Sequence, residues 1–301
     1  MFPVTSFVAM PVARRGLSGL LLIMELVFCA GTHAEFLDPH AEISYTFDDN
    51  VTRASERGTK LADRSYSVNL SQPIIYPIVD QARAFLICAL GGEVFDRNKG
   101  LSHVTGTLHG ELQYRNSSEI GTPTIALFAR VAAEQYQSAM RDGFRYSAGI
   151  SMRQAVTDRI RFSGALAHNE RNSKNAVFDN KDNSARFNLD YSPGAAGTIY
   201  LGGEYRRGDS AISGSELWSE YNPNAYTLDD AFPGMEIYSF RFDGTTVLST
   251  LGYNLEIGPR DAIDFSWRRA RTSANYVAPY WKNVTLNYLT NQYSVAYLLR
   301  F

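Results

Sequence analysis

The residues of this chain best equipped for chemistry are charged side chains set an even number of positions apart. Arg130 and Glu134, Arg145 and Arg153, Arg186 and Asp190, and Glu204 and Arg206 follow this spacing, as do Arg159 and Arg161. In an extended chain, even spacing puts side chains on one face. Six arginines, Arg130, Arg145, Arg153, Arg161, Arg186 and Arg206, therefore gather on one wall, with Glu134, Asp190 and Glu204 among them. A guanidinium fork matches carboxylate and phosphate geometry, so such a wall can guide anions. The same arginines can equally pair with the acids on neighbouring strands and stiffen the wall. Both readings stand at this point.

Catalytic constellations are missing by comparison. The histidines read His103-Val-Thr, His109-Gly-Glu and His168-Asn-Glu, and none has the His-x-Ser spacing of barrel lipases and deacylases. There is no Gly-x-Ser-x-Gly elbow, His-Glu-x-x-His, Cys-x-x-Cys or Gly-rich phosphate loop. Asp229-Asp230 could hold a cation, but two adjacent carboxylates are more simply read as a solvated turn. The expectation is a protein that is not an enzyme and carries no metal or cofactor. A formal net charge of −2 argues against a nucleic-acid partner.

The elements that position these charges are strands. Alternation of apolar and polar residues marks twelve segments: 41–53, 64–76, 83–96, 102–115, 123–137, 143–156, 159–172, 182–192, 197–208, 236–257, 261–273 and 284–301. In the fourth, Val104, Leu108, Leu112 and Tyr114 oppose His103, Thr107, His109, Glu111 and Gln113; in the sixth, Phe144, Tyr146 and Ile150 oppose Arg145, Ser147 and Arg153. The charged parity also takes in Glu42, Asp48, Arg83, Glu93, Glu256, Asp264, Arg268 and Arg300. A charge facing lipid at mid-depth costs roughly 2–4 kcal/mol, so this parity belongs to a watery interior. Short turns rich in Gly, Pro, Asp and Ser alternate with longer polar loops, above all Asp209–Met235. That loop either folds inward as a constriction or stands outside as a surface for partners.

The spacing thus predicts an all-β chain: a 12-stranded antiparallel up-and-down transmembrane β-barrel. Strands about 4.8 Å apart and tilted about 40° give a cylinder roughly 24 Å across, suited to small solutes. The apolar run Gly16–Cys29, after Arg14-Arg15 and before Ala30-Gly-Thr-His-Ala34, has the anatomy of a secretory signal peptide cut after Ala34. Residues 1–34 would be leader and 35–301 barrel. After cleavage Cys88 alone remains, so no internal disulfide is expected.

The last nine residues alternate from Phe301 back through Leu299, Tyr297, Val295 and Tyr293, all apolar or aromatic. This resembles the C-terminal signal by which Gram-negative outer-membrane proteins are handed to their assembly machinery. The run Tyr45-Thr-Phe-Asp-Asp-Asn-Val-Thr-Arg53 resembles the first strand of proteobacterial outer-membrane barrels, among them exopolysaccharide-operon barrels and surface-lipoprotein assembly modifiers. With His103-Val-Thr, Arg141-Asp-Gly, Arg207-Gly-Asp and Phe242-Asp-Gly-Thr, the chain resembles uncharacterised barrels of this porin-like kind. The resemblance implies residence in the outer membrane, among lipid and lipopolysaccharide. The Arg-rich inward faces and modest bore make the expected function a porin-like channel for passive diffusion of small polar or anionic solutes, the alternative being a non-conducting structural or polysaccharide/protein-export accessory barrel.

Overall fold

The structure is a computed structural model and describes residues 39–55, 59–117, 119–194, 197–214, 226–275 and 286–301. The expected signal peptide lies outside the described residues. Twelve long strands follow in chain order: β1 His40–Asp48, β2 Asp63–Val79, β3 Ala82–Phe95, β4 His103–Arg115, β5 Thr124–Tyr136 and β6 Gly143–Ala155. Then come β7 Ile160–Ser173, β8 Asn180–Gly194, β9 Gly197–Gly214, β11 Tyr238–Glu256, β12 Asp261–Ala274 and β13 Asn287–Arg300, with a three-residue strand, β10 Tyr226–Leu228, on the edge of β11. Each pairs antiparallel with its neighbours, β9 pairs with β11, and β13 pairs with β1, so the sheet closes.

Alternation decides which face is which. Tyr66, Val68, Leu70, Leu112, Leu127, Ile150, Leu166, Leu189, Leu201, Leu251 and Val295 are exposed. A water-soluble protein would not display so continuous an apolar surface; a barrel in lipid must. Aromatic rings edge this belt: Tyr76, Tyr114, Tyr191 and Phe301 at one rim, Phe144, Tyr146, Tyr205 and Tyr293 at the other, all exposed. Cys88 lies on the same outward parity, opposite Leu108.

Three departures from the expected elements have physical reasons. β1 ends at Asp48, not at 53, because Asp49–Arg53 turns back over the rim. Asn50 N donates to Asp48 Oδ1 (2.8 Å), and Arg53 adopts φ 57°. β9 and β11 run on together beyond the other strands, to Gly214 and Tyr238. Their extension is held by a small core of Ile212, Phe240 and Leu286. Finally, the β5–β6 and β7–β8 connections are not open loops. Each holds a 3-10 turn, Ala139–Arg141 or Ala176–Phe178, followed by an aspartate. Asp142 Oδ1 accepts from Tyr136 N (2.7 Å) and Asp179 Oδ1 from Ser173 N (2.6 Å), satisfying backbone donors at the ends of β5 and β7.

Candidate functional site

Side-chain contacts that skip a strand identify the concave face, because only there do next-nearest strands approach each other. Arg171 Nε of β7 lies 3.0 Å from Glu134 Oε2 of β5. Arg153 Nη2 of β6 lies 3.6 Å from Glu111 Oε2 of β4. Tyr200 Oη of β9 donates to Asp264 Oδ1 of β12 (2.9 Å). The Arg186 guanidinium of β8 sits 5.7 Å from the ring centroid of Phe128 on β5, across two strands. All belong to the parity opposite the exposed apolar belt.

The arginine wall divides into two groups. Arg145 Nη2 meets Glu134 Oε1 at 3.1 Å, and Arg206 Nε meets Glu204 Oε1 at 2.7 Å with a second contact, Nη2 to Oε2, at 3.1 Å. Arg153 shares Glu111 with His109 Nε2 (3.5 Å) and Gln113 Nε2 (2.8 Å). Among the described residues, Arg130, Arg161 and Arg186 have no ion pair. Arg161 stands directly opposite Asp190 in register, yet Asp190 accepts from Asn188 Nδ2 instead. Even the paired arginines keep one side in water: Arg145 and Arg153 are about half exposed, while Glu134 and Glu111 are buried.

Two luminal residues belong to no motif in the sequence. Arg171 completes a three-way contact in which Glu134 serves two guanidiniums, and Asp182 accepts from Asn169 Nδ2 (2.8 Å). Both lie on the inward parity of their strands, so alternation alone locates them. Arg159, by contrast, precedes β7 and belongs to the turn. Tyr293, Val295, Tyr297 and Leu299 sit on β13 opposite Phe47, Tyr45, Ile43 and Ala41 of β1, and Phe301 N bonds to Pro39 O (3.0 Å). His168 is on the outer face, bonded through Nδ1 to Asn183 Oδ1 (2.9 Å).

Residues 226–237, the described part of the connection between β9 and β11, reach across the mouth. Around the barrel, the β3–β4 connection lies diametrically opposite it. Nevertheless Ala231, Phe232 and Ile237 share a core with Leu101 of the β3–β4 connection and with Val51 and Leu61 of the β1–β2 connection. These three are 0%, 2% and 1% exposed, shielded from water on both sides. A Cβ on Gly100 would overlap Ala231 Cα and stand 3.0 Å from Ala231 Cβ, so the two backbones are in direct contact. On the way across, Asp230 accepts from Ser138 Oγ, and Asn175 Nδ2 donates to Thr227 Oγ1 (3.3 Å).

Asp229 is the centre of this lid, not a solvated turn. Its fully buried carboxylate binds the Arg141 guanidinium, Ser239 Oγ (2.5 Å) and Ala231 N (3.1 Å). Arg141 also stacks on Phe178, 4.0 Å from the ring centroid. Burial lowers its pKa from the ordinary value and the Asp229 carboxylate opposes that shift. With its oxygens already taken by Arg141, Ser239 and Ala231, Asp229 is not free to hold a cation, and no metal-ligating cluster occurs among the described residues. Trp218, Tyr221 and Pro223 of the same connection lie outside the described residues.

No protein-family model matches the chain, and no curated protein matches it. Among solved structures it is similar to the COG4313 outer membrane channel from Pseudomonas putida F1, at 10% identity and a TM-score of 0.56. That match covers 90% of this chain and 98% of the other. It is similar also to the NanC porin (8% identity, TM-score 0.46, 87% and 100% covered) and the KdgM porin (11%, 0.42, 86% and 99%). At such identities the first likeness shows a shared fold, and the other two superpose too loosely to add to it. The chain has the fold of an outer-membrane β-barrel channel.

Proposed function

We propose that this chain is an outer-membrane channel through which small polar solutes, anions above all, diffuse passively. The observation that carries this reading is the inward wall of β5–β8, where Arg130, Arg161 and Arg186 have no ion pair among the described residues and Arg145 and Arg153 keep half their surface in water. A barrel built only for stiffness would neutralise its guanidiniums, since an unpaired interior charge costs stability. Conductance of the purified protein in planar bilayers tests the reading. Current that favours anions over cations supports it. Silence from both the native protein and variants with the lid unlatched would overturn it.

The lid favours a second reading, a non-conducting structural or export-accessory barrel. A connection seated by a buried core across the mouth suits a closed vessel. Under this reading, unlatching the lid leaves the bilayer silent. In either case we propose that a leader ending near Ala34 directs the chain to the outer membrane. There Tyr293, Val295, Tyr297, Leu299 and Phe301 present the edge read by the assembly machinery, and the belt contacts lipid and lipopolysaccharide.

A further inference from the structure

β12 carries two arginines on the face that meets lipid. The exposed Phe265 marks the outward parity of this strand, and Arg269 and Arg271 follow it at even spacing, both exposed. Trp267, on the same parity, is flanked in register by the exposed Leu251 of β11 and Tyr293 of β13. The two arginines therefore stand just beyond the aromatic edge of the belt, on the lid side, close to the end of the strand at Ala274.

Neighbouring strands give them no counter-charge. Arg269 faces Ser249 and Asn291, and Arg271 faces Val247 and Leu289. Among the described residues neither arginine makes an ion pair or a hydrogen bond. The acids nearest on this face are committed or distant. Asp49 is held by Asn291 N (2.8 Å) and Nδ2 (2.9 Å) and by Lys60 Nζ (3.5 Å). Asp243 lies roughly 13 Å along β11 from Val247 at ordinary strand rise, with Thr245 between them. Residues 275–286, which follow in the chain, include Lys282 and no acid. Arg207 of β9 shares the outward face, but Asp209 and Asp243 flank it, opposite one another in register; its charge is offset locally, and that of the β12 pair is not.

An arginine is costly against the bilayer core and tolerated at the level of the headgroups. There an uncompensated guanidinium draws lipid phosphate, whose oxygens match its fork. Two such forks on alternate residues of one strand, with Cα atoms about 7 Å apart, can close on a single phosphate. Resting on the reading of the belt as lipid-facing and of the lid side as the outer surface, we propose that Arg269 and Arg271 form a docking site for a phosphorylated glycolipid of the outer leaflet, lipopolysaccharide. Its phosphate sits between the two guanidiniums, with the Ser249 hydroxyl beside Arg269 as a further donor. Its acyl chains run down the belt past Trp267, Leu251 and Tyr293.

The test is native mass spectrometry of the full-length, detergent-folded protein titrated with bisphosphorylated lipid A, its dephosphorylated form and inorganic phosphate. The phosphorylated lipid is expected to bind about a hundredfold more tightly than the dephosphorylated one. Arg269→Gln and Arg271→Gln should each weaken it about tenfold, the loss of one charge-assisted pair. Arg64→Gln removes the same charge from the outward parity of β2 and should leave binding unchanged. Equal affinity for the two lipids overturns the proposal, as does undiminished binding in the double variant. Inorganic phosphate that displaces the lipid at equal concentration makes the pair a free-phosphate site and overturns the lipid assignment. A double variant that keeps its lipid but falls from oligomer to monomer makes this face a contact between copies, and overturns it too. Quenching of Trp267 by brominated acyl chains, in a chain with Trp218→Phe and Trp281→Phe, reports on the belt separately. Quenching without a preference for phosphate keeps the belt and loses the site; absence of quenching loses both.

Discussion

Six arginines on one wall look interchangeable in the sequence, but their neighbours give them different work. Arg145 and Arg171 converge on Glu134, a carboxylate only 8% exposed at its side chain. The Arg171 contact brings charges together without a directed hydrogen bond, since Arg171 Nε and Glu134 Oε2 are both buried without a hydrogen-bond partner. Removing the acid therefore strands Arg171, whose side chain is 14% exposed, more than it strands the half-exposed Arg145. Glu134→Gln is expected to destabilise the barrel by about 1–3 kcal/mol, read as a lower temperature for loss of the compact form on gels. The same change should raise anion preference in bilayer current, because it adds unneutralised guanidinium to the bore. Arg186→Gln should do the reverse, costing little stability and lowering anion preference, since its only contact among those described is the Phe128 ring. If Arg186→Gln melts the barrel and leaves selectivity alone, the division of the wall is wrong.

At the scale of elements, the first-strand run Asp48-Asp-Asn-Val-Thr-Arg53 is the clasp that shuts the barrel seam. Asp48 accepts from Gln292 Nε2 (2.8 Å) and Thr290 Oγ1 (2.9 Å), and Asp49 from Asn291 N (2.8 Å) and Nδ2 (2.9 Å). Asn50, fully buried, donates through Nδ2 to Leu289 O (3.0 Å) and Ala54 O (2.9 Å). Residues from the two ends of the barrel chain are thus sewn together by short polar side chains where β1 stops. Asn50→Ala leaves the Leu289 and Ala54 carbonyls without that donor, and should cost about 1–3 kcal/mol; Asn50→Leu should cost more. Loss of the heat-modifiable gel shift at a lower temperature is the readout, and an unshifted Asn50→Ala would show the clasp to be ornamental. The strands themselves are legible in the sequence because alternation is a property of each residue and its second neighbour, and lipid enforces it on every strand. The clasp, the 3-10 turns capped by Asp142 and Asp179, and the extension of β9 and β11 are not. Each depends on a partner distant in the chain or on a turn whose hydrogen bonds leave no periodic trace.

Taken as a whole, the barrel is polarised across its bore and spanned at one end by the packing of Ala231, Phe232 and Ile237 on Val51, Leu61 and Leu101. Arg130, Arg145, Arg153, Arg171 and Arg186 make β5–β8 net basic, whereas Glu42, Asp48 and Asp63 make β1 and β2 acidic on the inward parity. Asp48 and Asp63 are already bound: Asp48 by Arg53 (2.8 Å), Asp63 by Asn98 N and Nδ2 (both 2.8 Å). Asp48 and Asp63 thus anchor loops under the lid, and the opposite wall is left to face solute. Whether the β9–β11 connection lies in or out cannot be read from composition, because its burial comes from Val51, Leu61 and Leu101 on connections far away in the chain. This makes the lid separable from the lumen by mutation. Gly100→Val places a side chain where the Ala231 backbone now lies, and touches no luminal group. It should lift the lid off its seat and raise bilayer current several-fold, with selectivity unchanged. Arg141→Met should raise current too, but at a larger loss of stability, about 3–5 kcal/mol, because Asp229 is left charged and buried without its cation. Adding Asp229→Asn to Arg141→Met should recover much of that stability while the lid stays loose, since an amide can keep the Ser239 contact without demanding a counter-charge. A Gly100→Val barrel that conducts no better than the native one would mean that the lid does not govern passage, and the mouth would have to be closed elsewhere.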